Sequence, residues 1–227
     1  MDVVEPPSRE RSDFETAGMP EKSKRMAFAG LTVALSVLLI TGAIGLWAAP
    51  ADATRVQTPT RDNLIRLYHL EPYIAYFTSH PYGVGAGRVP ADYIKALILS
   101  ESAVDKFAQS TMGARGLTQI LPSTGRKAGS RIAAAGHDFR YVDERALADL
   151  NPDLLYDPAV NILIACYLNA IYSHQYDGRI DLMAAAWNAG PDAVVRHGNR
   201  VPPYDETRTF VDRVLGYMAY FDQQKSS

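Results

Sequence analysis

An uncharged run between Arg25 and Asp52, MAFAGLTVALSVLLITGAIGLWAAPA, decides how the rest of this chain can fold. It exceeds the roughly 20 residues that cross a ~30 Å hydrocarbon core, and it has no polar face to leave in water. It predicts one transmembrane helix over 26–49, with globular structure confined to its flanks. Lys22, Lys24 and Arg25 crowd its N-terminal edge, whereas Asp52 and the sparser Arg55 and Arg61 follow it. Positive charge stays on the cytoplasmic side, so residues 1–25 are expected in the cytoplasm and everything after residue 52 outside it. Trp47 suits an interfacial anchor. The rival reading is a cleavable signal peptide: ADA at 51–53 has small residues at the spacing of a processing site, but the run is longer than the usual 7–15 or so apolar residues. Either way the folded part is exported. The N-terminal region holds no cysteine to carry a lipid anchor.

Residues 1–25 are polar, contain proline and lack a hydrophobic period, which predicts a disordered tail. Residues 50–60, rich in Ala, Thr and Pro, read as a linker. That leaves 61–227 for one domain. A net charge of −2 gives no electrostatic case for a nucleic-acid partner. Cys166 is the single cysteine, so neither an intrachain disulfide nor a cysteine-rich zinc cluster can form. His69, His80, His137, His174 and His197 are scattered without metal-ligand spacing, and no metal is implied.

The exported part reads as mainly α. An amphipathic stretch covers Arg61 to Phe77, interrupted near Pro72, and YGVGAGRVP breaks it. Its glycines lack the GxGxxG spacing of a phosphate loop and read as a connector. Pro90 and Asp92 then open a helix in which Glu101 shares a face with Ile94, Leu97 and Ile98. A carboxyl on such a face loses the water around its charged form, so its pKa rises and it can serve as a general acid. The plain alternative is a paired or solvated residue at a frayed helix end. Further on, Asp157 can cap, Pro158 start and Gly178 stop a helix with the apolar stripe Val160, Leu163, Ile164, Tyr167, Leu168 and Ile171. LMAAAWNAG gives a small-residue helix ending at Gly190, and a last helix buries Val211, Val214, Leu215 and Met218.

In chain order, ILSESAVD, GARGLTQILPSTG, LLYDPAVNILIACYLN, AAAWNAGPDAVVRHGN and VPPYDETRTFVDRVLGY resemble the motifs of the soluble-type lytic transglycosylases, bacterial murein-cleaving enzymes with a lysozyme-like (goose-type) helical fold. The resemblance spans roughly residues 90–221. It implies Glu101 as the single catalytic acid, with Ser102 beside it supporting its orientation. Gly116, Leu117 and Gln119 match the GLMQ motif that shapes the cleft, Gln119 as a glycan contact, and with Ser102 all three are counted among the implied substrate-binding residues. Trp187, Asn188, Ala189 and Gly190 match AYNAG, and Glu206, in ETR, matches a carboxylate assigned to substrate binding. The implied partner is a peptidoglycan glycan strand, cut between N-acetylmuramic acid and N-acetylglucosamine without a cofactor. Together with the apolar run, this places a single-pass protein in a bacterial inner membrane with its catalytic domain in the periplasm. A short tether of that kind suits local wall opening for a secretion, conjugation or pilus apparatus.

A glycosidase normally uses two carboxyls. In the mechanism the resemblance implies, Glu101 protonates the leaving oxygen and the 2-acetamido group of the substrate stabilises the cationic sugar. The same glutamate, now a base, then activates the muramyl 6-hydroxyl to give a 1,6-anhydro end. The tethered hydroxyl competes with water at about 55 M because intramolecular reactions reach much larger effective molarities. Three residues depart from the family pattern: Thr118 for Met, Trp187 for Tyr and Phe210 for Tyr. Thr118 is expected to change a sugar contact and Phe210 to remove a hydrogen bond. Trp187, which only donates, either stacks on a sugar or packs in the core. Two rivals stay open: a muramidase of the same fold that uses water, and a catalytically weak or inactive glycan-binding scaffold of an envelope-spanning machine, the reading these departures support.

Overall fold

The computed structural model describes residues 55–83 and 88–226. The expected tail 1–25, the expected membrane segment 26–49 and the first part of the linker lie outside the described residues. Among the described residues no helix is long and apolar enough to cross a membrane. Helix α1 covers Arg61–Ser79, α2 Ala91–Ser102, α3 Pro122–Ala135, α4 Arg145–Ala148, α5 Pro158–Gln175, α6 Ile180–Ala189, α7 Pro191–Arg196 and α8 Asp205–Lys225. A 3-10 turn at Pro152–Tyr156 precedes α5. Extended pairing among the described residues is limited to two isolated bridges, Gln109 with Arg115 and Arg115 with Ile120.

The helix boundaries follow local chemistry. Thr60 and Asn63 form a reciprocal capping box at the start of α1. That helix runs unbroken through Pro72, against the interruption expected there. The carbonyl that Pro72 deprives of a partner belongs to Tyr68, which is 74% exposed, so water can replace the lost bond. Asp157 caps α5 by accepting from the amides of Ala159 and Val160 at 2.8 and 3.1 Å, with Pro158 at the first position, as expected. The helix stops at Gln175, and Gly178, at φ 71°, turns its amide back to the Ser173 carbonyl.

One core joins these elements, with α5 at its centre. Ile162, Leu163, Ile164, Ala165 and Cys166 are fully buried across a whole turn, so α5 is apolar on all sides. Helices α1, α3 and α6 pack on it, and α8 packs on α2 and α6. Ala184, Ala185 and Ala186 keep α6 thin enough to lie between its neighbours. Ile94, Leu97 and Ile98 are fully buried, as their shared face with Glu101 predicts. On α8, Val211 and Val214 are buried, whereas Leu215 and Met218 are only half-buried and Phe210 is buried instead.

Over 55–60 the expected linker is seated on the domain. The Gln57 amide donates to the Gly216 carbonyl of α8 at 3.1 Å, and Pro59 is buried. A Cβ at Gly216 would lie 2.5 Å from Gln57 Cγ and 2.6 Å from the Arg55 carbonyl, so glycine makes the notch this segment occupies. His80 and His137, scattered in the sequence, meet with Nε2 and Nδ1 3.2 Å apart against Tyr82 and Phe139. Burial and the neighbouring His137 hold the His80 pKa below the usual histidine range.

Candidate active site

Glu101 stands in the last turn of α2, where the chain leaves the helix abruptly. Ala103 and Val104 both take positive φ, 49° and 67°, a conformation that a β-branched valine rarely adopts. Neighbouring elements hold that strained exit. The Ser102 hydroxyl donates to the Leu117 carbonyl at 2.8 Å, and Asn63 Nδ2 of α1 donates to the Ala103 carbonyl at 2.7 Å.

A cleft of about 540 Å³ opens over Glu101. Gln119, Trp187, Asn188 and Glu206 line it with Ser110, Met112, Leu121, Thr124 and Tyr172. Ser102, Gly116 and Leu117, expected as substrate contacts, stand behind the wall instead. Leu117 is 1% exposed, Gly116 is buried, and the Ser102 hydroxyl points to backbone. The physical reason is the turn they build. Gly116, at φ 76°, passes so close to α5 that a Cβ would sit 2.1 Å from the Leu155 carbonyl and 2.6 Å from Asn161 Nδ2. Asn161, fully buried, accepts from the Thr118 amide and hydroxyl at 3.0 and 2.7 Å and donates to the Arg115 and Leu155 carbonyls at 3.1 and 2.8 Å.

Thr118 is therefore no sugar contact: it is 0% exposed and its hydroxyl is taken by Asn161. Phe210 is likewise a core residue, 3% exposed. Gln119 does face the cleft, on a backbone at φ 52°, and its amide nitrogen donates to the Ala108 and Gly116 carbonyls at 3.1 and 3.0 Å. A left-handed non-glycine residue costs about 1–3 kcal/mol, and these bonds help offset that strain.

Trp187 settles its two expected roles in a third way. Its indole Nε1 donates to Glu101 Oε1 at 2.9 Å from the last turn of α6. An indole cannot accept, so this oxygen is held as the acceptor and the proton of a neutral Glu101 belongs on Oε2. Asn188, the next residue, accepts from the buried Thr207 hydroxyl of α8 at 2.7 Å, which locks the end of α6 to the start of α8.

The electrostatics bring the Glu101 proton equilibrium close to neutrality. Desolvation pushes the Glu101 pKa up to about 7; the Trp187 bond and the Arg213 charge oppose the rise, and the Glu206 charge adds to it. Glu206 itself is exposed in the first turn of α8. Among the described residues lining the cleft, Glu101 and Glu206 are the carboxyl bearers. Sequence reasoning missed Ser110, Met112 and Tyr172, since a cleft assembled from α2, α5, α6 and the 110–124 segment has no single periodicity to betray it. Arg213 was missed for the same reason, lying on α8 far along the chain from Glu101. Among the described residues no cluster of three or more metal-ligating side chains forms.

Comparison with known proteins points to one family. The soluble lytic murein transglycosylase of Escherichia coli K12 is 32% identical over 146 residues, covering 59% of this chain and 21% of that protein. The chain thus spans about a fifth of that relative's length. The crystal structure of the 70 kDa soluble lytic transglycosylase from Escherichia coli superposes with a TM-score of 0.53 at 29% identity, over 70% of this chain and 26% of that one. A complex of the 70 kDa soluble lytic transglycosylase with bulgecin A gives 0.55 at 27% identity, over 71% and 27%. The model of the transglycosylase SLT domain matches residues 84–209, a span that contains Glu101, the Gly116–Gln119 turn, Trp187 and Glu206, and the chain belongs to that family.

Proposed function

We propose that this protein is a peptidoglycan lytic transglycosylase that cleaves the β-1,4 bond between N-acetylmuramic acid and N-acetylglucosamine and leaves a 1,6-anhydro end, with Glu101 as acid and then base. The observation that carries the reading is a desolvated carboxyl, its pKa near 7, facing a cleft with one oxygen already held by an indole donor. At neutral pH both protonation states are accessible, as an acid that must next act as a base requires. Oε2 gives its proton to the leaving oxygen. The resulting carboxylate is stabilised by Trp187 and Arg213 and accepts the proton of the muramyl 6-hydroxyl as that oxygen closes on the anomeric carbon. Glu101 is thereby protonated again, so the cycle balances without a second carboxyl or a cofactor. Gln119, Asn188 and Glu206 line the cleft as sugar contacts.

The relative's binding of bulgecin A supports a glycan-binding cleft here. The scaffold reading loses the support drawn from Thr118 and Phe210, because both lie in the core. Digestion of purified sacculi with residues 54–227, followed by mass spectrometry, tests the proposal. Anhydro-muropeptides support it; products heavier by one water would make the enzyme a muramidase, and no products would make it a scaffold. We further propose that 26–49 anchors the chain in the inner membrane with the catalytic domain in the periplasm, near a secretion, conjugation or pilus apparatus. The charge asymmetry at Lys22, Lys24 and Arg25 supports that topology. Cell fractionation and protease protection of spheroplasts test it, and a domain recovered in the cytoplasm would refute it.

A further inference from the structure

We propose that Arg213 is a positioning residue for the acid step: it closes the C-terminal end of the acid's helix from outside and keeps a positive charge beside Glu101.

A helix ends with carbonyls that lack intrahelical partners and with a partial negative charge, which a cation in the last turn normally offsets. The last turn of α2 has no basic residue. Arg213 supplies one from α8, where its Nη1 donates to the Ser100 carbonyl at 3.1 Å, one residue before the acid. With Ser102 bonded to the Leu117 carbonyl and Asn63 bonded to the Ala103 carbonyl, bonds from three separate elements fix residues 100–103. Arg213 alone among these three brings a charge. Glu206 lies seven residues earlier on α8, about two turns away, so one helix presents charges of both signs to the acid. Tyr93 of α2, Glu206 and Arg213 are electrostatically linked to Glu101, Tyr172 of α5 lines the same cleft and is linked to Tyr93, and burial holds both tyrosines neutral. Of these, Arg213 is the group that stabilises the ionised carboxylate by its charge.

The proposal rests on Glu101 being the acid, and its test separates the two. The Glu101 carboxyl is titrated by carbon-13 NMR, assigned by difference against Glu101→Gln, in the wild-type domain, Arg213→Gln and Arg213→Lys, alongside the pH dependence of kcat/KM. Arg213→Gln is expected to raise the Glu101 midpoint on the order of half to one pH unit, the scale of one half-screened charge, and to carry the alkaline limb of kcat/KM with it. Arg213→Lys, which keeps the charge and loses the planar fork, returns the midpoint toward wild type. Arg213 is exposed, so its influence is open to salt. In Glu206→Gln, raising salt from about 0.05 to about 1 M should therefore lift the Glu101 midpoint, a measurement that stands even where Arg213→Gln does not fold. A midpoint that stays put in Arg213→Gln, or that ignores salt in Glu206→Gln, overturns the role of Arg213 and leaves the proposed activity standing. A midpoint that moves as expected in a wild-type protein that forms no product supports the role of Arg213 and refutes the activity.

Discussion

Two regions of this domain bury polar groups side by side, and they treat them in opposite ways. At Asn161 the buried side chain is fully paired: it spends both donors and its acceptor on Thr118, Arg115 and Leu155. Around Glu101 a carboxyl is stripped of water and given one donor at 2.9 Å, one cation and one like charge. The first arrangement has a single low-energy state and serves as a fixed point. The second is balanced between two protonation states, which is useless for rigidity and necessary for proton transfer. The contrast teaches that the Gly116–Gln119 turn is a frame and Glu101 a load mounted on it, joined through Ser102 and Leu117.

The hardest test of that division is Glu101→Gln. Turnover should fall about 10²–10⁴-fold, the usual worth of a general acid-base group, while the fold survives. The stability outcome is the sharper one. A folded pKa of about 7 against 4.5 means that the native state resists ionisation, so the wild type has its full stability below pH about 4.5 and loses part of it as pH rises through about 7. Glutamine escapes this loss. At pH 9 the variant should be more stable than wild type by on the order of 3 kcal/mol, and at pH 4 the two should unfold alike in urea. Equal stability at pH 9 would show that Glu101 is solvated and that the contrast is empty.

Asn161→Ala strikes the other region. It strands the buried Thr118 amide and the Arg115 and Leu155 carbonyls, and should cost about 3 kcal/mol at every pH from 5 to 9, since none of these groups titrates there. A strongly pH-dependent loss would mean that the frame and the acid are one coupled unit.

Much of this division could be read before any coordinates. The apolar recurrence of α2 put Glu101 on a buried face, and Asp157–Pro158 announced the start of α5, because caps and periodicity are local. What failed was the assignment of side-chain direction within motifs. Leu117 and Thr118 belong to a cleft motif yet face the core, because the positive φ of Gly116 and Gln119 reverses the chain on either side of them. Asn161 gave no warning at all: in LLYDPAVNILIACYLN it is one of two asparagines on a helix buried all round, and its partners lie 43 and more residues away in the case of Thr118 and Arg115. Trp187 was read as a stacking or core residue, since nothing local says that its N–H reaches a carboxyl 86 residues earlier.

Trp187→Phe removes that donor and keeps the ring bulk. In the proposed mechanism the carboxylate formed after proton donation loses a charge-assisted bond worth about 1.5–3 kcal/mol, so kcat should fall about tenfold or more and the alkaline limb should move to higher pH. Trp187→Tyr, whose phenol can donate, should recover part of the loss. A Phe variant with wild-type kcat and an unmoved limb would make the indole a packing residue.

Thr118→Val carries the smallest effect and draws the boundary between the two regions most finely. The substitution is close to isosteric, and the Thr118 amide keeps its bond to Asn161 Oδ1, so only the hydroxyl bond of 2.7 Å is lost. Asn161 Oδ1 therefore stays satisfied, and the cost should be about 1 kcal/mol, or roughly 2–4 °C in Tm for a domain of this size. KM for a soluble glycan fragment should not change, because the side chain is fully buried and its hydroxyl is turned to α5. The reverse result, a KM raised severalfold with Tm intact, would place the hydroxyl on the sugar and move Thr118 from the frame to the load. A valine that lowers Tm and leaves KM alone shows that the frame can absorb a hydroxyl where the family pattern has a thioether, provided that Asn161 is present to receive it.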